Sequence, residues 1–198
     1  MRIVLATANP SKAKEFEQIL RPLLPEIEIL PASLFLGNDW HVAETGATLE
    51  ENAYLKATHV FERLWHPTIA DDTGLEVAAL DGLPGVQTAR FAGPSATADE
   101  NNALLLERLG GCIDRRARFR TVLCYRDRLR TIFAEGIVQG TIAEQPRGIH
   151  GFGYDPLFIP DGYDRSFAEM NSQEKHRISH RGRAATSLVS QLIALWNH

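Results

Sequence analysis

Only two cysteines, Cys112 and Cys124, occur in the 198 residues. They form no CxxC pair and no Cys/His cluster with zinc spacing, so neither a disulfide framework nor a zinc site is expected. Reduced cysteines packed as small hydrophobes, as in a cytosolic protein, are the expectation. No apolar run approaches the roughly 18 residues that would span a bilayer. The opening stretch Arg2-Ile-Val-Leu-Ala-Thr7 is too short, and lacks the small-residue cleavage site, to be a secretory leader. Excess positive charge is also missing: the formal net charge is −4. A grip on nucleic acid polymers is therefore not expected, and any polyanion bound should be small. Covalent nucleophiles are poorly served too, because no serine sits in Gly-x-Ser-x-Gly. What is present, 44% hydrophobic and 23% charged residues, is ordinary for a chain with a substantial core.

The pattern of that core reads as α/β. Residues 2–7 are apolar and β-branched, which predicts a buried strand. Asn9 can cap the helix that follows, Pro10 suits its first position, and Phe16, Ile19, Leu20 and Leu23 fall on one face. Residues 27–30 read as a strand and 31–46 as irregular. Thr48-Leu-Glu-Glu51 is a capping box, opening a helix with the stripe Leu49, Ala53, Ala57, Val60, Phe61, Leu64 that Pro67 ends. Thr68–Asp71 reads as a short strand ending at Asp72-Thr-Gly74. A Gly/Pro loop covers 81–95. Thr97-Ala-Asp-Glu100 is a second capping box, and its helix runs to Gly110-Gly111. Alternation at Phe119, Thr121, Leu123 and Tyr125, with a turn near Arg126–Arg128, predicts an antiparallel hairpin over 117–142. Residues 146–165 read as loop. A last helix is expected over 179–197, with Ala185, Leu188, Val189, Leu192, Ile193 and Trp196 on one face. The expectation is an elongated mixed β-sheet flanked by helices, two lobes with a central cleft, in a single domain over 1–198.

Five short segments carry residue types suited to phosphate and base chemistry. In Thr7-Ala8-Asn9-Pro10-Ser11-Lys12, backbone amides at a helix start, short polar side chains and a lysine suit a phosphate. The Gly-x4-Gly-Lys pattern of a P-loop is missing, and a capped helix with an exposed lysine accounts for it equally. Asp71-Asp72 offers carboxylates of the kind that hold Mg²⁺; a capped turn is the plain alternative. Were the strand to continue, the two would point to opposite faces. Glu44-Thr-Gly46, ahead of a helix carrying Glu51, Asn52 and Lys56, is also readable as a solvated acidic helix start. Gly148–Pro156, with its glycines and aromatics, lets backbone approach a ligand closely and offers a ring to stack on a base, or is a structural loop. Glu174-Lys175-His176 and Ser179-His180-Arg181-Gly182 form a basic helix start, in which Arg181 can donate paired hydrogen bonds.

Together, Thr7–Lys12, Glu44-Thr-Gly46, Glu51-Asn-Ala-Tyr-Leu-Lys-Ala57, Ala70-Asp-Asp-Thr-Gly-Leu75, Pro84–Arg90, Gly151-Phe-Gly-Tyr-Asp-Pro156 and Ser179-His-Arg-Gly182 resemble the inosine/xanthosine triphosphate pyrophosphatase family over nearly the whole chain. The resemblance implies a cytoplasmic homodimer that uses Mg²⁺ to cut non-standard purine nucleoside triphosphates to monophosphate and pyrophosphate. It makes Asp72 the general base and, with Glu44, a metal residue. Lys12 and Lys56 lie near the phosphates, and Thr7, Ala8, Asn9, Pro10, Ser11 and Lys12 form the triphosphate turn. Thr73 becomes a substrate contact, while Phe152, Gly153, Tyr154, Asp155, Lys175, His180 and Arg181 hold the nucleoside. Alanine at position 8, where the family often has glycine, implies that φ there is not positive. Two rival readings remain distinct: a phosphatase or pyrophosphatase for other nucleotides, and a non-catalytic nucleotide sensor, which would not need Asp72 and Glu44.

Overall fold

The computed structural model describes residues 2–37 and 40–196. Its elements are β1 (Arg2–Ala6), α1 (Pro10–Leu23), β2 (Glu28–Pro31), α2 (Ser33–Leu36), α3 (Leu49–Leu64), β3 (Thr68–Val77), β4 (Pro84–Gly85), α4 (Ala98–Arg108), β5 (Arg116–Arg126), β6 (Thr131–Ile142), β7 (Phe158–Pro160), α5 (Ser172–Ile178) and α6 (His180–Trp196), with short 3₁₀ turns. The strands form one mixed sheet in the order β2-β1-β3-β5-β6-β7, with β4 on β3. β1 pairs parallel with β2 and β3, while β3–β4 and β6–β7 are antiparallel. This is the helix-flanked α/β sheet that the sequence pattern predicts. No helix of the described residues is long and apolar enough to cross a membrane.

The chain divides into two compact units. One holds the segment up to Asp72, Thr121–Gly136 and the segment from Arg181; the other holds Thr73–Arg120 and Ile137–His180. In the first, strand alternation sorts the side chains. Ile3, Leu5 and Ile69 join Phe16, Ile19 and Leu20 of α1 and Ala184, Ala185, Leu188, Val189 and Leu192 of α6 in one buried cluster. Apolar positions at helical spacing on α1 and α6 meet odd-numbered strand residues, as the 3.6 and 2.0 periods require. In the second unit Leu75, Val77, Leu105, Leu109, Phe119, Val138, Tyr154, Leu157, Phe158, Phe167 and Met170 form the core.

Helix starts follow their caps. The Asn9 side chain accepts from the amides of Ser11 and Lys12, and both Thr48/Glu51 and Thr97/Glu100 close as reciprocal capping boxes. The hairpin forms too, with Asp127 Oδ1 accepting from the Leu129 and Arg130 amides at its turn. Five expectations change. β3 does not end at Asp71 but runs to Val77, so the Asp71–Gly74 run is strand rather than turn. The segment read as irregular contains α2, and the loop 146–165 contains β7. A separate helix, α5, capped by Asn171, precedes the last one, which begins at His180. On that last helix Ile193 and Trp196 lie 43% and 37% exposed, so the buried stripe stops near Leu192. The expected end of this helix at Asn197 lies outside the described residues.

Candidate active site

The first unit assembles an acidic and basic cluster from three elements. Because β3 continues as a strand, Asp71 and Asp72 point to opposite faces of it. Asp71 follows Ile69 onto the α1 side, where its Oδ2 takes a bond from Lys12 Nζ at 2.9 Å. Asp72 turns to α3, where Lys56 Nζ donates to Oδ1 at 2.9 Å and Asn52 Nδ2 to Oδ2 at 3.2 Å. Lys56 Nζ also reaches Glu44 Oε1 at 3.2 Å, so one ammonium lies between two carboxylates. Asn52 and Lys56 stand four residues apart on α3 and therefore share a face. The loop carrying Glu44 is tied down next to them, since the Gly46 amide donates to Asn52 Oδ1 at 2.8 Å. Gly46 is glycine for a steric reason: a Cβ there would stand 2.7 Å from that same oxygen and 2.6 Å from Glu51 Cβ.

These contacts divide the two aspartates electrically. Burial alone would raise the Asp71 carboxyl, but the charges of Lys12, Lys56 and Arg181 outweigh it and hold the group at about 2. For Asp72 burial wins over the lysines, with Glu44 adding repulsion, and its pKa is raised. Burial also works against the Lys56 ammonium, yet the carboxylates of Asp71, Asp72 and Glu44 leave its pKa raised. The two aspartates, on opposite faces of one strand, are thus shifted in opposite directions by their surroundings, a division common in catalytic sites.

The phosphate-turn residues lie at the end of β1 and the start of α1. Thr7 Oγ1 accepts from the Asn9 amide at 3.2 Å, and Asn9 Oδ1 accepts from Ser11 N at 2.9 Å and Lys12 N at 3.2 Å. Two of the amides expected to face a phosphate are therefore bonded to Asn9. Ala8 is not among the described non-glycine residues with positive φ, which are Trp65 and Asp81. Arg181, predicted to meet the base, is buried and bonds through Nη1 to Glu15 Oε2 at 3.0 Å.

The second unit gathers the aromatic loop. Asp155 Oδ2 accepts from the Phe152 amide at 2.8 Å and from Lys175 Nζ, on α5, at 2.7 Å. That ammonium lies 5.2 Å from the Phe152 ring centroid, within cation–π range. Gly151, at φ +76°, leaves the room Asp155 needs, because a Cβ would stand 2.1 Å from its Oδ2. The Tyr154 hydroxyl donates to the Thr88 carbonyl at 3.1 Å, and Asn102 Nδ2 to the Gly153 carbonyl at 3.1 Å. The buried His180 ring stacks on Phe119 at 4.6 Å and 22°. Thr73 continues β3.

Lys12, Glu44, Lys56 and Asp72 thus converge in one unit, and Phe152–Asp155 with Lys175 in the other. Sequence reasoning passed over Glu15 and Asn102, named Asn52 without giving it a role, and did not pair Asp71 with a lysine. Only Asn52 left a signal, its four-residue spacing from Lys56. Among the described residues no three His, Cys, Asp or Glu side chains form a protein-only metal cage. The donor set fits Mg²⁺ nonetheless, since that ion is commonly held by one or two carboxylates plus phosphate oxygens and water. Glu44 and Asp72 already converge on one cation, the Lys56 ammonium.

A model of the Ham1 family matches residues 3–191. The chain belongs to the Ham1 family. Among curated relatives, the dITP/XTP pyrophosphatase of Exiguobacterium sp. is 47% identical over 194 residues, 98% of this chain and 97% of the relative. That of Christiangramia forsetii is 44% identical over 97% of this chain and 99% of its own. Of the solved structures, the Ham1 protein of Staphylococcus aureus superposes with a TM-score of 0.87 at 38% identity, covering 98% of this chain and 100% of that one. The Coxiella burnetii Ham1 protein gives 0.86 at 40% identity, covering 98% and 99%. Every candidate residue above lies within the matched Ham1 span.

Proposed function

We propose that this protein hydrolyses non-standard purine nucleoside triphosphates, namely ITP, dITP and XTP, to the monophosphate and pyrophosphate, and so clears deaminated purines from the nucleotide pool. The observation behind this reading is the cluster in which Lys56 bridges Glu44 and Asp72 while Lys12 pairs with Asp71. A carboxylate of raised pKa beside fixed cations is what attack of water on a phosphate needs. Relatives of full-length similarity bear the name dITP/XTP pyrophosphatase.

In the proposed chemistry Asp72 takes a proton from water as the water oxygen bonds to the α-phosphorus. The bond from that phosphorus to the oxygen bridging to the β-phosphorus breaks, and pyrophosphate leaves with the electron pair. Lys12 and Lys56 offset charge on the phosphates, and the Thr7–Lys12 turn receives the triphosphate. Glu44 and Asp72 would hold Mg²⁺, which supplies positive charge to phosphate oxygens when bound. Phe152 stacks on the purine, Gly153, Tyr154, Asp155 and Lys175 shape its pocket, and Thr73 touches the substrate. His180 and Arg181 read the keto oxygen at position 6, the latter anchored by Glu15. An amino group there, as in adenosine, would leave a donor facing donors, which a polar site rejects strongly. Operation of residues 1–198 as one domain, in a cytoplasmic homodimer, belongs to the same proposal and rests on the family resemblance.

The test is a triphosphate panel with Mg²⁺, scored for pyrophosphate against orthophosphate. Pyrophosphate from ITP, dITP and XTP with little from ATP is expected. Orthophosphate as the product, or equal turnover of ATP and ITP, would sink the reading.

A further inference from the structure

Asn52 has no part in the chemistry just described, yet it is fully buried at the centre of the cluster. Both ends of its amide are used. Nδ2 donates to Asp72 Oδ2 at 3.2 Å, and Oδ1 accepts from the Gly46 amide at 2.8 Å. One rigid side chain thus joins the loop of Glu44 to the carboxylate of Asp72, 20 residues further along the chain. Lys56 occupies Asp72 Oδ1, so Asn52 fixes the remaining oxygen and with it the plane of the carboxylate. Burying an amide is favourable only when its partners are in place, which makes both contacts costly to lose. The clamp is reinforced at Gly46, where any Cβ would press on the accepting oxygen.

We infer that Asn52 is the positioning residue that sets Glu44 and Asp72 at cation-binding separation, with Gly46 as its required partner. This deepens the proposed function and rests on its reading of Glu44 and Asp72 as a cation site. Residues one step behind metal ligands commonly change affinity by about 10–100-fold when replaced.

The probe is Mn²⁺ alone, titrated by electron paramagnetic resonance on the full chain without nucleotide. Asn52→Leu, close in size but unable to bond either partner, should weaken Mn²⁺ binding by about 10–100-fold. Gly46→Ala reaches the same clamp from its other side and should weaken binding in the same direction. The double variant should be no weaker than the weaker-binding single one, because both changes break one device. Wild-type affinity in a folded Asn52→Leu protein, or independent additive losses, would overturn the role. A test on the unaltered protein covers the case in which variants do not fold. The Gly46 amide, outside any helix or strand, should exchange with solvent at least ~100-fold slower than in an unstructured peptide, and fast exchange would overturn the clamp. Failure of the unaltered protein to bind Mn²⁺ would remove the cation site and the Asn52 role together. Pyrophosphate release from ITP is measured separately, so loss of the hydrolase reading is distinguishable from either.

Discussion

The two units bury polar groups in opposite styles. In the first, charge meets charge: Lys12–Asp71, Lys56–Asp72 and Arg181–Glu15 pair inside it. In the second, rings dominate: Phe119, Phe158, Phe167 and His180 pack together, and the buried Lys175–Asp155 ion pair lies beside the Phe152 and Phe167 rings. Fixed charges near carboxylates suit phosphate transfer, where developing charge must be met. Stacked rings and a cation–π contact suit a flat heterocycle. The two styles of polar burial therefore suit different chemistry, charge neutralisation in the first unit and ring stacking in the second.

The largest expected effect breaks the chemistry and leaves the ring end intact. Asp72→Asn keeps the shape and removes the proposed proton acceptor. A fall in kcat of about 10²–10⁴-fold is expected, with KM changed little. A raised KM with normal kcat would place the proton transfer elsewhere. Lys175→Met is the counterpart in the second unit. It strands the Asp155 carboxylate, 2% exposed, without its ammonium. Removing one member of such a buried pair costs about 3–5 kcal/mol, which thermal or urea unfolding would register. An unchanged melting temperature would show that the pair is not the anchor of the loop.

These two variants also mark what the sequence could reveal. Asp72 and Lys175 fall in short motifs whose neighbours single them out as candidates. The helix starts were legible for the same reason: Asn9 with Pro10, and Thr48 and Thr97 with glutamates three residues on, act within one turn. The end of β3 was not legible. Adjacent aspartates look like a turn because strands rarely bury carboxylates, and only lysines from α1 and α3 make it tolerable for the strand to continue. Those pairings span 59 and 16 residues, and Arg181–Glu15 spans 166, distances at which no local pattern informs. Short elements such as α2, α5 and β7 escaped because a few residues give too little periodicity to read.

A smaller effect separates the aspartates by pH. Asp71 is held at about 2 by Lys12, Lys56 and Arg181 against the effect of burial. Its folded pKa lies below the unfolded value, so its contribution to stability is complete above about pH 4 and disappears as the pH falls towards 2. The wild-type protein should lose on the order of 2 kcal/mol more stability across that window than Asp71→Asn, read from urea unfolding at each pH. Asp72 has the opposite sign. Its raised folded pKa means that the folded state binds the proton more tightly, so its ionisation lowers stability as the pH rises. Parallel pH profiles for Asp71→Asn and wild type would remove this division of roles.

The smallest expected change compares two buried asparagines, one from each unit. Asn52 has both amide ends bonded. Asn102, 6% exposed, gives its Nδ2 to the Gly153 carbonyl but leaves Oδ1 buried without a hydrogen bond. Replacing Asn52 by leucine strands the Gly46 amide and one Asp72 oxygen, which should cost about 1–3 kcal/mol. Replacing Asn102 by leucine loses one bond to a half-exposed loop carbonyl but also removes an unsatisfied buried oxygen. The two terms oppose each other, and the net change should stay within about 1 kcal/mol. Urea unfolding of both variants tests the contrast. Equal and large losses would mean that Asn102 Oδ1 has a partner in solution, an ordered water being the simplest, and that the second unit satisfies its buried amide as fully as the first.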